Sequence, residues 1–348
     1  MQPEQIRQRR HFSWRKDNTD KLGRYEKFTK EHHEAALISV VILNYNGMRF
    51  LDRCLASIRD QTYADLEVII VDNASTDGSA EYAKSRYPWA KVIRNEENLG
   101  FAGGTNVGIS QARGEYILTL NNDTWIEKRF IEHLMEPVVE KDVGMCASKM
   151  LFPDGKINST GICISRSGAA WDRGIFEQDK GQYNRREEVF GPCAGAALYR
   201  KAMLDEIGHF DEDFFLYMED VDLAFRGRLA GWRCIYVPEA VVYHHHGGTT
   251  GSKSDLSVYY VNRNVIWYVV KDFPLAILLT SLPFILARNL ATIPYYALRG
   301  QSRVIFKSKL DALRGLPGMI RKRGNVLRLT PDNEIARFIR IKARIARH

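Results

Sequence analysis

Three short apolar runs, each stopping at a cluster of Asn and Asp, constrain this 348-residue chain more than any other feature. Ile38–Leu43 ends at Asn44-Tyr45-Asn46-Gly47, Leu66–Val71 at Asp72-Asn73-Ala74-Ser75, and Tyr116–Leu120 at Asn121-Asn122-Asp123. Between them, Phe50, Leu51, Leu55 and Ile58 fall at helical spacing, Ser79–Arg86 and Ile109–Ala112 are helix-like, and Lys91–Arg94 makes a brief strand. Runs that are apolar along most of their length, rather than alternating, suit strands covered on both faces. Strands alternating with helices predict βαβ units around a parallel sheet. Ligands of such sheets bind beyond the carboxyl ends of the strands, so the three polar clusters should converge on one crevice.

Beyond this half the pattern changes. Residues 150–190 are rich in Gly and charge with little periodicity, as expected of a loop-bearing insertion. Cys193–Tyr199 suits a strand, Glu219–Ala230 an amphipathic helix, and Arg233–Val237 and Ala240–Tyr243 two short strands. Pro274–Ala287 is almost wholly apolar but shorter than the roughly 18–20 residues that span a bilayer, and Arg288 follows it. An interfacial or re-entrant helix pair hinged at Pro283 and Pro294 is the expectation, against a packed helix pair with a solvated tail. Residues 1–35 form a polar arm without an apolar h-region, so no secretory signal is expected there. The five cysteines show no CxxC spacing and suit buried thiols in a reducing, cytoplasmic setting.

Charge is uneven. Arg299–His348 carries 14 Lys+Arg against 3 Asp+Glu, or +11, which leaves −3 of the net +8 for the preceding residues. A basic tail behind an apolar segment suits an anionic membrane surface. Its bases are interleaved with Ile, Leu and Phe, and no nucleic-acid motif accompanies them, so no nucleic-acid partner is expected.

Five clusters could carry chemistry. Asn121-Asn122-Asp123 could offer oxygen ligands to a hard divalent cation, or simply end a strand. Asp72 could accept from a base or ribose, while Asp77 and Ser79 suit a capped βα turn. Asn98-Leu99-Gly100-Phe101-Ala102-Gly103-Gly104-Thr105-Asn106 allows close backbone approach to a ligand at a helix start, or mere flexibility. Glu219, Asp220 and Asp222 open a helix, where its dipole favours acids, and three acids so close also suit the deprotonation of a hydroxyl. Asp222 has Arg226 four residues on, as in an ordinary surface pair. His244-His245-His246 could be solvated or could supply a metal ligand.

In this order the clusters resemble glycosyltransferase family 2, and within it the bacterial rhamnosyltransferase-like members, over roughly Ile38 to Trp267. The resemblance rests on Val41-Ile42-Leu43-Asn44-Tyr45-Asn46, Val71-Asp72-Asn73-Ala74-Ser75-Thr76-Asp77-Gly78-Ser79, the Gly-rich stretch, Asn121-Asn122-Asp123, Phe210-Asp211-Glu212-Asp213-Phe214-Phe215 and Glu219-Asp220-Val221-Asp222-Leu223. It implies an α/β GT-A fold, with a Rossmann-like mixed central sheet flanked by helices; the apolar segment and basic tail add the expectation of a C-terminal helical, membrane-associating extension. The expected divisions are a polar arm at 1–35, a nucleotide-sugar half at about 36–125 and an acceptor half at about 126–268, and an apolar and basic extension at 269–348.

The resemblance further implies inverting, metal-dependent transfer of a sugar from a nucleotide-sugar donor to a saccharide or lipid-linked saccharide, in cell-surface polysaccharide assembly at the cytoplasmic face of the inner membrane. Asp220 would be the base, with Glu219 beside it. Asp123 and His244 would hold Mg²⁺ or Mn²⁺, with Asn121 standing where the family has a first acid. Asn44, Asn46, Asp72, Asn98, Gly103, Asn106, Asn121, Asn122 and Arg263 would contact the donor. dTDP-rhamnose and UDP-hexoses or UDP-N-acetylhexosamines are the implied donors. A sugar nucleotidyltransferase would want a basic Gly-rich loop after the first strand, which Asn44–Gly47 is not. A non-catalytic scaffold is the remaining rival, and the presence of Asp123 and Asp220 argues against it.

Overall fold

The structure, a computed structural model, describes residues 36–245 and 254–340. The three apolar runs are strands β1 (Ile38–Asn44), β2 (Leu66–Asp72) and β4 (Tyr116–Asn121), with β3 (Lys91–Arg94) outside β2. The helices between them are α1 (Met48–Arg59), α2 (Ser79–Arg86) and α3 (Gly100–Ser110). All four strands run parallel in the order β3-β2-β1-β4, so the chain reverses its direction of travel between β1 and β4. A crevice opens beyond the carboxyl ends at such a switch point.

Burial on both faces explains the unbroken apolar runs. Ile38, Val40 and Ile42 of β1 pack with Leu51, Leu55 and Ile58 of α1 on one face. Val41, pointing the other way, packs with Ala102 and Ile109 of α3. Each such fully buried aliphatic side chain contributes about 1.5–3 kcal/mol.

Antiparallel strands extend the sheet past β4. After β5 (Thr124–Ile126) and α4 (Phe130–Met135) come β6 (Val143–Leu151), β7 (Ile157–Ser159), β8 (Ile162–Ser165), β9 (Ala170–Asp172), β10 (Glu187–Glu188) and β11 (Ala196–Arg200). Then follow α5 (Lys201–Ile207), a short 3₁₀ turn at Glu212–Phe214, α6 (Glu219–Leu229) and β12 (Arg233–His244). β11 lies antiparallel between β4 and β6, and β12 runs parallel to β6, which makes the sheet mixed. Residues 150–190, expected as loop, hold four short strands whose two to four residues are too few to show a period. The two strands expected at 233–243 are one, β12, with its register shifted between Val237 and Val241.

The C-terminal segment comprises α7 (Asp255–Asp272), α8 (Leu275–Ala297), α9 (Ser302–Arg323), α10 (Asp332–Ala336) and β13 (Ile339–Arg340). β13 joins β8 and β9 in a second sheet. The hinged helix pair expected around Pro283 and Pro294 is instead one continuous 23-residue helix, α8. Its mean hydropathy of 1.6 and its length would suffice to cross a membrane, which is weak evidence of one.

Candidate active site

Asn44 closes β1 and ties its neighbours together. Its Nδ2 donates to Asp72 Oδ1 (2.9 Å) and Ser79 Oγ (2.8 Å), and its Oδ1 accepts from Asn122 Nδ2 (2.8 Å). Three strand ends are thus joined by one fully buried amide. Gly47 is required here, because a Cβ would stand 1.9 Å from Asn122 Nδ2. Asp72 accepts also from the Ser75 amide (3.0 Å), with Arg94 Nε at 3.8 Å. Asn46, at φ 49°, donates its amide to Ser75 Oγ (2.9 Å), and its Oδ1 accepts from the Thr76 amide (2.8 Å). Asn44, Asn46, Asp72 and Asn122 therefore converge as the strand pattern predicts, and their polar atoms first serve to shape the crevice wall.

The Gly-rich stretch is helical from Gly100 onward, and protein groups occupy it. Phe215 O accepts from the Phe101 amide (2.6 Å) and the Ala102 amide (3.2 Å), so the first turn of α3 meets a protein carbonyl where a ligand could have approached. Gly100 has φ +70°, and a Cβ on it would stand 2.3 Å from Phe215 O. Asn98 Oδ1 accepts from the Gly100 amide and from Asn73 Nδ2, both at 2.9 Å. Gly103 is buried against Leu99. Asn106 Nδ2 donates to Phe210 O (2.8 Å) and Glu212 Oε1 (2.9 Å). Asn106 thereby holds the loop that precedes α6, while Asn98 and Gly103 shape the start of α3.

At the carboxyl end of β4, Asp123 meets His244 from the end of β12: Oδ1 lies 3.2 Å from Nε2. His244 Nδ1 faces Asn158 Oδ1 of β7 at 3.0 Å, so each ring nitrogen stands against an oxygen. Asn121 Nδ2 lies 3.4 Å from the same nitrogen. Burial alone would raise the Asp123 carboxyl. The hydrogen bond and charge of His244, with smaller help from its own backbone amide and from His245, hold it below the usual carboxylate range instead.

This donor set fits Mg²⁺ or Mn²⁺. A carboxylate and an imidazole nitrogen bound at about 2.1 Å in adjacent octahedral positions would stand about 3 Å apart, and such ions take remaining ligands from water and substrate phosphates. Among the described residues no group of three His, Cys, Asp or Glu could hold a metal without such help. Asn158 was missed in the sequence because it lies on a three-residue strand. His246, the third of the run, lies outside the described residues.

Across the crevice, α6 begins with the acids. Phe215, Tyr217 and Met218, just before it, have φ of 63°, 66° and 70°, a left-handed conformation costly for such side chains, on the order of 1–3 kcal/mol each. Two residues of α7 stabilise the bend. Asn264 Nδ2 donates to the carbonyls of Phe214 (2.9 Å), Leu216 (2.9 Å) and Tyr217 (2.7 Å). Arg263 Nη2 donates to those of Asp213 (2.8 Å) and Phe214 (3.0 Å), its guanidinium 3.9 Å from the Trp267 ring centre. Arg263, expected at the donor phosphates, is thus engaged in holding this loop.

Asp220 is half-buried; Oδ1 accepts from the Val221 amide (2.8 Å) and Oδ2 from the Ala194 amide (3.4 Å). Burial and then the charge of Asp172 push its carboxyl up to about 7, against the pull of those two amides. Glu219 is buried with Oε2 lacking a partner among the described residues, and burial together with Asp220 and Asp222 drives it well above the carboxylate range. Asp172 of β9, bonded to the Ser159 and Cys193 side chains, is a carboxylate the sequence pattern did not single out. Cys193 and Ala194 are consecutive, so one backbone turn steadies both Asp172 and Asp220.

Asp222 is fully buried, not part of a surface pair. It meets Arg226 Nε at 2.8 Å and Lys271 Nζ at 2.5 Å, and Lys271 also meets Asp211 at 2.6 Å. Despite burial, Lys271 and Arg226 bring Asp222 down to about 2. The three acids of one sequence cluster so divide into two raised carboxylates and one lowered, structural one.

The model of the family described as glycosyl transferase family 2 matches residues 39–208. Over 241 residues the chain is 30% identical to the N-acetylglucosaminyl-diphospho-decaprenol L-rhamnosyltransferase of Mycobacterium tuberculosis, a match spanning 62% of this chain and 78% of that relative. It is 32% identical to an uncharacterized glycosyltransferase of Haemophilus influenzae over 62% of this chain and 68% of the relative. The mannosyltransferase PcManGT from Pyrobaculum calidifontis, solved with GDP-Man and Mn²⁺, superposes with a TM-score of 0.52 at 18% identity, over 84% of this chain and 93% of that one. GalNAc-T7, solved with UDP, GalNAc and Mn²⁺, gives 0.54 at 17% identity, over 69% and 48%. At these identities the structural likeness speaks for the fold alone.

Proposed function

The chain belongs to glycosyltransferase family 2, is a glycosyltransferase of GT-A fold, and from that premise we propose an inverting, metal-dependent transfer of a sugar from a nucleotide-sugar to an acceptor hydroxyl. The observation that carries this reading is the pairing of two unlike acid sites across one crevice. Asp123, lowered, stands against His244 Nε2 at 3.2 Å, while Asp220 is raised to about 7. One suits cation binding and the other proton removal near neutral pH.

Asp123 Oδ1 and His244 Nε2 would hold Mg²⁺ or Mn²⁺, whose chemistry when bound is to neutralise charge on the departing nucleoside diphosphate. Asp220, deprotonated, accepts the acceptor hydroxyl's proton as that oxygen forms its bond to C1 and the C1–phosphate oxygen bond breaks. The new bond forms on the face opposite the leaving group, so the anomeric configuration inverts. Glu219, whose carboxyl burial and Asp220 push well above the usual range, is the second acid of this site. Asp72 and Asn46 border the space for the nucleoside.

For substrates, the reading follows the Mycobacterium tuberculosis relative, whose name pairs L-rhamnose with N-acetylglucosaminyl-diphospho-decaprenol. A dTDP-rhamnose donor and a lipid-linked saccharide acceptor, in cell-surface polysaccharide assembly, are proposed. UDP-hexose or UDP-N-acetylhexosamine is the alternative donor. Contact with the cytoplasmic face of an anionic membrane through α8 and α9 completes the reading. On α8, Leu275, Leu279, Leu282, Leu286 and Leu290 are all exposed. On α9, Phe306, Leu310 and Leu313 are exposed and interleaved with Arg303, Lys307 and Arg314, the composition of an interfacial helix.

The test is a panel of nucleotide-sugars assayed with the full chain for metal-dependent hydrolysis and for thermal stabilisation. dTDP-rhamnose with Mn²⁺ should stand out, and EDTA should abolish the hydrolysis. Equal turnover with and without EDTA contradicts the metal reading.

A further inference from the structure

Two cations stand together between α7, α8 and α9 without an acid. Arg288, on the inward side of α8, has a buried Nη1 with no hydrogen-bond partner among the described residues, and the groups that bear on its charge are the hydroxyls of Tyr268 and Tyr296. Lys309, on α9, donates only to neutral oxygens: Asn289 Oδ1 at 2.6 Å, Asn262 Oδ1 at 3.3 Å and Asn262 O at 3.4 Å. Burial and the neighbouring Arg288 push Lys309 down to about 7. Among the described residues neither side chain has a carboxylate in ion-pair contact, although Lys271, one helix away, is paired with two. Buried charge is costly unless paired, and like charges side by side raise that cost.

The surroundings say what kind of anion would pair with them. Lys309 lies three residues after Phe306 and four before Leu313, at the edge of the exposed apolar face of α9. Asn289, its closest partner, precedes Leu290 and follows Leu286 by three, at the edge of the exposed leucine row of α8. The seam between the two helices is therefore cationic within and apolar along both rims. A small hydrated anion would leave those rims in water, whereas an amphiphile with an anionic head satisfies both features.

We propose that the α8–α9 seam binds the phosphate of a membrane lipid, with Arg288 and Lys309 pairing the phosphate oxygens and the lipid chains lying against the exposed leucines. Asn262, which accepts from Lys309, immediately precedes Arg263 and Asn264, the residues that hold the bend before Asp220. A bound lipid phosphate thus sits one residue from the support of the catalytic loop. This proposal rests on the membrane-contact reading above and adds a specific headgroup site to it.

Co-sedimentation of the full chain with vesicles separates the two. Wild type should bind phosphatidylcholine vesicles through the leucine face and bind at least tenfold tighter when phosphatidic acid is included. Lys309→Met and Arg288→Met should lose most of that preference while still sedimenting with vesicles. Unchanged preference in both variants overturns the headgroup site and leaves membrane contact standing, whereas wild type that sediments with no vesicle overturns the membrane reading and this proposal with it. A readout on wild type alone guards against misfolded variants: soluble dihexanoyl phosphatidic acid should raise Tm more than dihexanoyl phosphatidylcholine. Equal shifts overturn the proposal, and an equal rise with inorganic phosphate assigns the site to free phosphate and overturns the lipid.

Discussion

Asp123 Oδ1 lies 3.2 Å from His244 Nε2, and the far nitrogen of that histidine is held by Asn158 Oδ1 at 3.0 Å. Asn158 thereby sets which nitrogen faces the carboxylate. Asn158→Ala should weaken the apparent affinity for Mn²⁺ about 10- to 100-fold, as loss of a partner behind a metal ligand does, with kcat at saturating metal largely kept. Titrating activity against Mn²⁺ checks this. An unchanged titration would remove Asn158, and the His244 orientation it sets, from the account.

Asp220→Asn should lower kcat by about 10²- to 10⁴-fold with little change in donor binding. The pH dependence has a definite sign. The active form of Asp220 is the carboxylate, and its pKa is raised to about 7, so kcat should fall as pH drops through about 7. Asp172→Asn removes the like charge that helps raise Asp220, so this acidic limb should move to lower pH. A pH–rate profile of the two enzymes measures the shift; a limb that stays in place or moves up contradicts the link between these carboxylates.

Asn264→Ala leaves the carbonyls of Phe214, Leu216 and Tyr217 without their shared donor. Stability should fall by about 1–3 kcal/mol, and kcat should drop further than KM rises, because the loop positions the acids at the start of α6. Thermal melts and steady-state kinetics check both. Gly100→Ala should be worse, since its Cβ would meet Phe215 O at 2.3 Å and its φ of +70° disfavours any side chain.

Lys271→Met leaves Asp211 and Asp222 buried with one partner fewer, and should cost about 3–5 kcal/mol. Asp222 also sets an acid limit. Its pKa is depressed to about 2 in the folded chain, so its contribution is present above its ordinary value near 4 and is lost as pH falls from there through about 2. Urea unfolding at pH 6 and pH 3 should show this loss in wild type and less of it in Asp222→Asn.

The sequence was most legible where local pattern and tertiary role coincide. β1, β2 and β4 are apolar because both faces are covered, and their polar ends mark the crevice, so Asp72, Asn44 and Asp123 could be placed from spacing alone. Less legible were residues whose role depends on distant partners. Asn158 and Asp172 sit on strands of three residues, too short to carry a period. Asp222 and Arg226 have the spacing of a surface pair, and only Lys271, 49 positions after Asp222, reveals them as buried. Arg263 was placed at the donor by the family resemblance, and the carbonyls of Asp213 and Phe214 that engage it are not visible in sequence. The prolines in α8 suggested a hinge, yet the helix continues through both.

The most direct test of the central claim is the anomeric configuration of the product. With the donor identified by the nucleotide-sugar panel, NMR of the newly formed glycosidic linkage should show configuration opposite to that of the donor, and Asp220→Asn should form almost none of it. Retained configuration, or near-normal product from Asp220→Asn, would contradict a single displacement with Asp220 as its base.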